Sequence, residues 1–213
     1  MNRFALPIRI TSILLLFIAI ASNTGCNKAV TSPDPATENT VTTTPTPATE
    51  ATITWYLVRA ANPTADQLDA YNRITAAMNA AVTMYNQQTT YCSGNLRVEY
   101  NTGVPTADGN VNGTIRFGAN RSYMNQRTAM HEIAHTQGIG TTSRWNQLVV
   151  NGKYTGAYAL AMLRSMVGES PASTLSADGH SFWPYGLNYN NEWSTVNGQR
   201  NARIVGAMQR DGV

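Results

Sequence analysis

His131 and His135 are four residues apart, and Glu132 directly follows the first of them. On an α-helix, residues at this spacing lie one above the other on the same face, so the two imidazoles are able to bind one metal ion. Glu132 would then reach a metal-bound water without itself binding the metal. The spacing predicts a helix that carries two metal ligands and a general base.

The surrounding residues favour a helix of this kind. Ala129, Met130, Ile133 and Ala134 form an apolar face suited to packing on a core. Ser122 or Asn125 is placed to cap the start of the helix, and Gly138 is placed to end it with a positive φ.

Residues 131–138 resemble the H-E-x-x-H motif of the zincin metallopeptidases. Up to Gly138 they also resemble the longer metzincin signature, but Thr141 stands where that signature has its third histidine. The resemblance covers about eight residues and assigns no subfamily. It implies an α+β catalytic domain, in which a small mixed sheet packs on a long helix and on the metal helix. It also implies a bound Zn²⁺ and hydrolysis of peptide bonds by a water that Glu132 activates.

A catalytic zinc site uses three protein ligands and one open position. His180, the only other histidine of the chain, is the predicted third ligand. It lies in an aromatic loop at 172–198, and long loops of this kind are often functional. Glu169 and Asp178 remain competing ligands, and Glu169 would resemble the gluzincin pattern.

Two further roles follow from the resemblance. Tyr185 or Tyr189 is placed to donate a hydrogen bond to the oxyanion, although plain loop packing explains both equally well. Met208 comes late enough for the methionine turn found in some zincins, but it also fits the core side of a final helix.

Residues 1–26 have the pattern of an export signal, with Arg3 and Arg9 followed by an apolar run at 10–21. Cys26 follows a glycine, which resembles the bacterial lipobox, although Asn23 stands where an aliphatic residue is usual. Lipid attachment to Cys26 would hold the protein in the bacterial cell envelope, periplasmic or at the cell surface. Simple secretion is the alternative.

Residues 27–50 are rich in threonine and proline and predict a disordered tether. Residues 51–213 then have the length of one domain. The net charge of +3 is too mild to predict nucleic-acid binding. Cys92 is the only cysteine left once Cys26 carries a lipid, so no disulfide framework is expected in this domain.

Hydrophobic periodicity predicts the elements of this domain. Strands are expected at 53–59, 96–100 and 113–117, with a turn at 101–112, and a hairpin is expected at 148–154. Helices are expected at 65–88, 157–167 and 199–209. The strand before the metal helix is either an edge strand that binds extended peptide or an ordinary interior strand.

The main interpretation is an exported, lipid-anchored zinc metallopeptidase with a peptide or protein substrate. One alternative is a zinc amidase acting on amides of the cell wall or of modified sugars. The other is a surface module in which the aromatic loop at 183–193 binds glycans and the metal is structural. A structural metal would need a fourth protein ligand.

Overall fold

The computed structural model describes residues 52–213, so the predicted signal at 1–26 and tether at 27–50 lie outside the described residues. Within this part the chain is a mixed α+β structure, as predicted, in which helices and two small sheets share one hydrophobic core. The elements in chain order are β1 (Ile53–Leu57), α1 (Ala65–Gln88), β2 (Gly94–Tyr100), β3 (Ala107–Gly109), β4 (Thr114–Phe117), α2 (Gln126–Thr136), α3 (Ser143–Leu148), β5 (Val149–Val150), β6 (Lys153–Tyr154), α4 (Ala157–Arg164), β7 (Ser176–Ala177), β8 (Phe182–Trp183) and α5 (Thr195–Arg210).

The first sheet has the strand order β1-β2-β4-β3. β1, β2 and β4 are parallel, whereas β3 pairs with β4 in the antiparallel direction. β4 is therefore an interior strand, and the hypothesis that it forms the sheet edge is wrong. The edge strand is β3, which lies in the predicted turn 101–112. Its residues, Ala-Asp-Gly, carry no β-branched or aromatic signal, so the sequence pattern does not reveal it.

The long helix α1 is confirmed over the predicted range. Thr64 and Gln67 form a capping box at its start, in which each side chain accepts a hydrogen bond from the other residue's backbone N–H. Its buried face includes Ile74, Met78 and Tyr85. The Tyr85 hydroxyl donates to the backbone carbonyl of Met130, so α1 contacts the middle of α2 directly.

The second sheet is antiparallel, with the strand order β5-β6-β7-β8. The predicted hairpin is confirmed, and Asn151 and Gly152 both have positive φ in its turn, as a type I′ turn requires. β7 and β8 lie in the segment 172–198, so this segment is not a loop without secondary structure. Each of these strands has only two residues, too few to show a period.

The two C-terminal helices differ from the prediction at their ends. α4 stops at Arg164, and Val167 is 88% exposed instead of packing on the core. α5 begins at Thr195 because the Ser194 side chain caps it by accepting from the Asn197 N–H. Met208 of α5 is fully buried in the core.

No helix within residues 52–213 has the length and apolar character needed to cross a membrane.

Candidate metal centre

The helix α2 places the H-E-x-x-H residues. Asn125 caps it by accepting a hydrogen bond from the Thr128 N–H, so Asn125 and not Ser122 is the cap. The predicted apolar face is buried, and Gly138 has a φ of 98° where the chain leaves the helix. Because this face packs on the core, the rotation of α2 is fixed and the opposite residues point to one cavity.

The three histidines lie together. Nε2 of His131 and Nε2 of His135 are 3.2 Å apart. The His180 ring stacks on that of His135, with centroids 4.2 Å apart and an angle of 26° between the planes. One ring nitrogen from each histidine lies within 4.8 Å of the others, so the three could hold a metal ion.

Backbone carbonyls fix the tautomers of the two helical histidines. Nδ1 of His131 is 2.9 Å from the Gly186 carbonyl oxygen, and Nδ1 of His135 is 2.7 Å from that of Ile139. A carbonyl only accepts, so each Nδ1 carries the proton and each Nε2 presents a lone pair. Two lone pairs facing each other at 3.2 Å repel, unless a cation lies between them.

The histidine positions fit a tetrahedral ion. Zn–N bonds of 2.0–2.1 Å at tetrahedral angles separate two ligand nitrogens by about 3.3–3.4 Å. The observed 3.2 Å between the two Nε2 atoms is close to this value. Burial lowers the pKa of His131 to about 3 and that of His135 to about 4, so both imidazoles are neutral at pH 7. Neutral imidazole is the form that binds metals.

His180 is held by the turn that contains Asp178. The Asp178 side chain accepts hydrogen bonds from the backbone N–H groups of His180 and Ser181, at 2.7 and 2.6 Å. The indole of Trp145 donates to the Asp178 carbonyl and ties this turn to α3. The Ser181 and His180 amides lower the pKa of the Asp178 carboxyl. Asp178 therefore positions the loop and is not part of the histidine group.

Glu132 faces the same cavity as the histidines and is 5% exposed. Burial raises the pKa of its carboxyl to about 8, and the negative charge of Asp108 acts in the same direction. The cavity has a volume of about 200 Å³. Asp108 and Gly109 of β3 form one wall and also line a separate polar groove of about 420 Å³.

β3 approaches α2 closely because of Gly109. A Cβ at this position would lie 3.0 Å from the carbonyl carbon of Glu132 and 3.1 Å from the Cβ of His135. Any side chain here would push the edge strand away from the H-E-x-x-H residues. Glycine therefore brings the sheet edge next to the histidines.

The other predicted site residues lie elsewhere. Tyr185 lines a separate cavity, where its hydroxyl donates to Glu169 at 2.6 Å and accepts from Arg200 at 2.6 Å. Glu169 is therefore paired with Tyr185 and is not in the histidine group. Tyr189 is 62% exposed and does not line the histidine cavity, and Met208 lies in the core.

Sequence reasoning missed several residues that line the histidine cavity. They are Asp108, Tyr123, Arg127, Thr128 and Asn188. Arg127 precedes His131 by four residues, so the spacing that pairs the two histidines already places Arg127 on the same helix face. Asp108 and Asn188 reach the cavity through the fold alone, and no sequence signal marks them.

Comparison of the chain with protein-family models, with curated proteins and with solved structures found no match. By themselves, the fold and the site define a mixed α+β protein in which three histidines could hold a metal ion.

Proposed function

We propose that this chain is a zinc-dependent metallopeptidase with a zincin-like catalytic domain. The observation that carries the proposal is that the side chains of three histidines and Glu132 converge in one cavity. The helical spacing, the unprotonated Nε2 atoms and the neutral imidazoles all favour a divalent cation with a preference for nitrogen ligands.

His131, His135 and His180 would hold the zinc. Within residues 52–213 the group that converges on this point contains these three ligands and no fourth one. Three protein ligands with an open position are typical of catalytic zinc and not of structural zinc. When bound there, zinc would polarise a substrate carbonyl and lower the pKa of water.

Glu132 would act as the general base and acid. Its carboxyl is buried in the histidine cavity, where desolvation raises its pKa to about 8, and a bound divalent cation would oppose this shift and favour the carboxylate that accepts a proton. It would take a proton from the attacking water and return it to the leaving nitrogen. Tyr123 is the tyrosine that lines this cavity, and its hydroxyl would donate to the developing oxyanion.

An extended peptide would bind along β3. This strand ends the first sheet, so its outer edge has no partner strand within residues 52–213. Backbone N–H and C=O groups at such an edge pair with an added strand. Because Asp108 and Gly109 also line the histidine cavity, a peptide on this edge would pass the metal ligands.

The export signal and Cys26 complete the proposal. We assign the protein to the cell envelope, where a lipid on Cys26 and the tether at 27–50 would hold the catalytic domain away from the membrane.

The test is a comparison of the wild type with Glu132→Gln. Metal analysis should find about one zinc per chain in both proteins, because Glu132 is not a ligand. The substitution removes the general base and should lower the rate about 10²- to 10⁴-fold. Both proteins are incubated with a mixed peptide library and with peptidoglycan fragments, and products are identified by mass spectrometry.

Each result points to one function. Peptide cleavage by the wild type, greatly reduced in the variant, supports the peptidase. Cleavage of cell-wall fragments alone indicates an amidase. If the two proteins cut neither pool and bind a glycan equally well, the chain is a binding module with a structural metal. If neither protein retains a transition metal, the proposal is refuted.

A further inference from the structure

Arg127 is a buried cation in the histidine cavity, and within residues 52–213 it has no acidic partner at ion-pair distance. Only 6% of the residue is exposed. None of the ion pairs found within residues 52–213 includes it. Removing a guanidinium from water is unfavourable unless hydrogen bonds and an opposite charge compensate. Glu132 and Glu192 act on it electrostatically, but neither lies within ion-pair distance.

The guanidinium of Arg127 is only partly used by the protein. Nη1 donates to the carbonyls of Leu187 and Asn188, at 2.7 and 3.2 Å. Nη2 donates to the Thr128 hydroxyl at 2.8 Å, while the buried Nε has no partner. A guanidinium has five N–H donors, so one donor on Nε and one on Nη2 remain. These two nitrogens form an edge that suits a carboxylate.

Asn188 provides the second unpartnered atom. Its Nδ2 donates to the Phe182 carbonyl at 3.0 Å, which fixes the orientation of the amide, but its Oδ1 accepts nothing. Arg127 Nε and Asn188 Oδ1 are the two buried side-chain polar atoms without a partner in residues 52–213. Both residues line the histidine cavity. One unused donor and one unused acceptor in the wall of this cavity indicate a ligand that supplies both complements.

We propose that this cavity recognises a carboxylate adjacent to the scissile bond, held by Arg127, together with a substrate N–H that Asn188 Oδ1 accepts. The inference rests on the proposed function, because it names the substrate class of the same site. Arg127 and His131 are one helical turn apart, a Cβ separation of about 5–6 Å. One extended residue spans about 3.5 Å, so a carboxylate on the residue after the scissile carbonyl is within reach.

The size of the cavity agrees with a short substrate end. Its volume of about 200 Å³ is below the range of about 300–1,000 Å³ that is usual for ligand pockets. The carboxylate has two possible sources, the C-terminus of a peptide and the side chain of an acidic residue. Both present the same group to the guanidinium, and the ligands chosen below separate them.

Arg127 also has a structural role that the test must exclude. Its Nη1 bonds hold residues 187–188, and the neighbouring Gly186 carbonyl orients His131. A variant that only loosened this segment would weaken every ligand equally. The ratio of the affinities for an acid and its amide therefore has to be measured, because a general loosening of this segment would weaken both ligands and leave the ratio unchanged.

The experiment measures binding by calorimetry to the full chain carrying Glu132→Gln, which prevents turnover. The ligands are N-acetyl-alanyl-alanine, its C-terminal amide, and the amidated peptide with glutamate as the second residue. We expect at least one carboxylate ligand to bind about tenfold or more tightly than the uncharged amide. The stronger of the two acids identifies the source of the carboxylate.

The measurement is repeated on metal-free protein, since a carboxylate also binds zinc directly. The preference should persist without metal, and adding Arg127→Gln should reduce it to less than about threefold. Arg59→Gln is the matched control, because it removes one charge from a residue that does not line the cavity. It should leave the preference intact.

Three results would overturn the inference: equal binding of acid and amide, a preference that needs zinc, or a preference that survives Arg127→Gln. If Arg127→Gln does not fold, the comparison of acid and amide on the Glu132→Gln protein, with and without metal, still decides whether a protein group holds the carboxylate. Failure of the proposed function is a separate result. In that case the wild-type protein, which retains Glu132, cleaves no substrate, but the preference for a carboxylate ligand remains.

Discussion

Gly140 brings the backbone of His180 close to the end of α2. It has a φ of 68°, and a Cβ built on it would lie 2.7 Å from the Cα and 2.9 Å from the carbonyl carbon of His180. Carbon atoms prefer separations of about 3.5–4.0 Å. Gly140→Ala therefore requires the His180 backbone to move by about 0.8 Å, or the turn at Gly140 to open by the same amount.

This displacement is large on the scale of a metal site. Ligand distances in such sites tolerate changes of about 0.2 Å. The loss of a correctly placed third ligand should exceed the effect of a lost supporting contact, which is about 10- to 100-fold in metal affinity. We therefore expect Gly140→Ala to weaken zinc binding by about 100-fold. A separate penalty of about 1–2 kcal/mol in folding stability comes from placing alanine at positive φ.

Gly152→Ala separates the two effects. Gly152 has a φ of 72°, but a Cβ there would meet no atom closer than the Ala177 carbonyl oxygen at 4.0 Å. In urea titrations of the metal-free protein, Gly152→Ala should lose about 1–2 kcal/mol of folding free energy from the positive φ alone, and Gly140→Ala should lose at least as much, because its Cβ also meets the His180 backbone. Only Gly140→Ala should lose zinc affinity, measured by competition with a chromophoric chelator. Wild-type zinc affinity in Gly140→Ala would refute the reasoning, because the close approach would then not position His180.

Three further predictions concern the third ligand, the anchor and acid stability. His180→Ala should weaken zinc binding about 100-fold or more, whereas Glu169→Gln should not, and the reverse result in chelator competition would make Glu169 the ligand. Cys26→Ser should release the protein from membranes in a fractionation experiment, and a freely soluble wild type would favour simple secretion instead. Hydrogen bonds from Arg121, and then from Arg73, lower the pKa of Asp69 in the folded protein. The stabilisation from the ionised Asp69 is therefore complete above the pKa of about 3.9 that aspartate has in the unfolded chain. It is lost as the pH falls through the lower pKa of the folded protein. Urea midpoints between pH 5 and 2 should fall less for Asp69→Asn than for the wild type, and equal slopes would contradict this.

Sequence reasoning predicts the parts of the fold in which hydrophobic residues repeat over many positions, or in which capping or turn residues mark where an element ends. The helix α1 repeats apolar residues over 24 positions and begins at a capping box, so both its type and its bounds are legible. The hairpin at 148–154 is legible from Asn151-Gly152, since few residue pairs accept two positive φ values. In both cases the local interactions alone favour the observed structure.

The parts that were missed depend on contacts between distant segments. β3 has three residues without strand propensity, and it forms because β4 pairs with it and Gly109 permits its approach to α2. Of the candidate site, the pair His131 and His135 follows from helix geometry. The approach of His180 depends on the turn at Asp178 and on space left by Gly140, which no local pattern encodes.

The histidines of this site are oriented by main-chain carbonyls and not by acidic side chains. The Gly186 and Ile139 carbonyls each face one Nδ1, at 2.9 and 2.7 Å. A carboxylate in this position would titrate and would add negative charge to the ligands, whereas a carbonyl does not titrate and favours the same tautomer wherever the imidazole is neutral. Neither acidic group of the cavity takes part in this orientation, because Asp108 pairs with Arg116 and Glu132 contacts neither Nδ1. Arg127, the buried cation of the cavity, has no ion-pair partner among residues 52–213, so its charge remains available to a substrate.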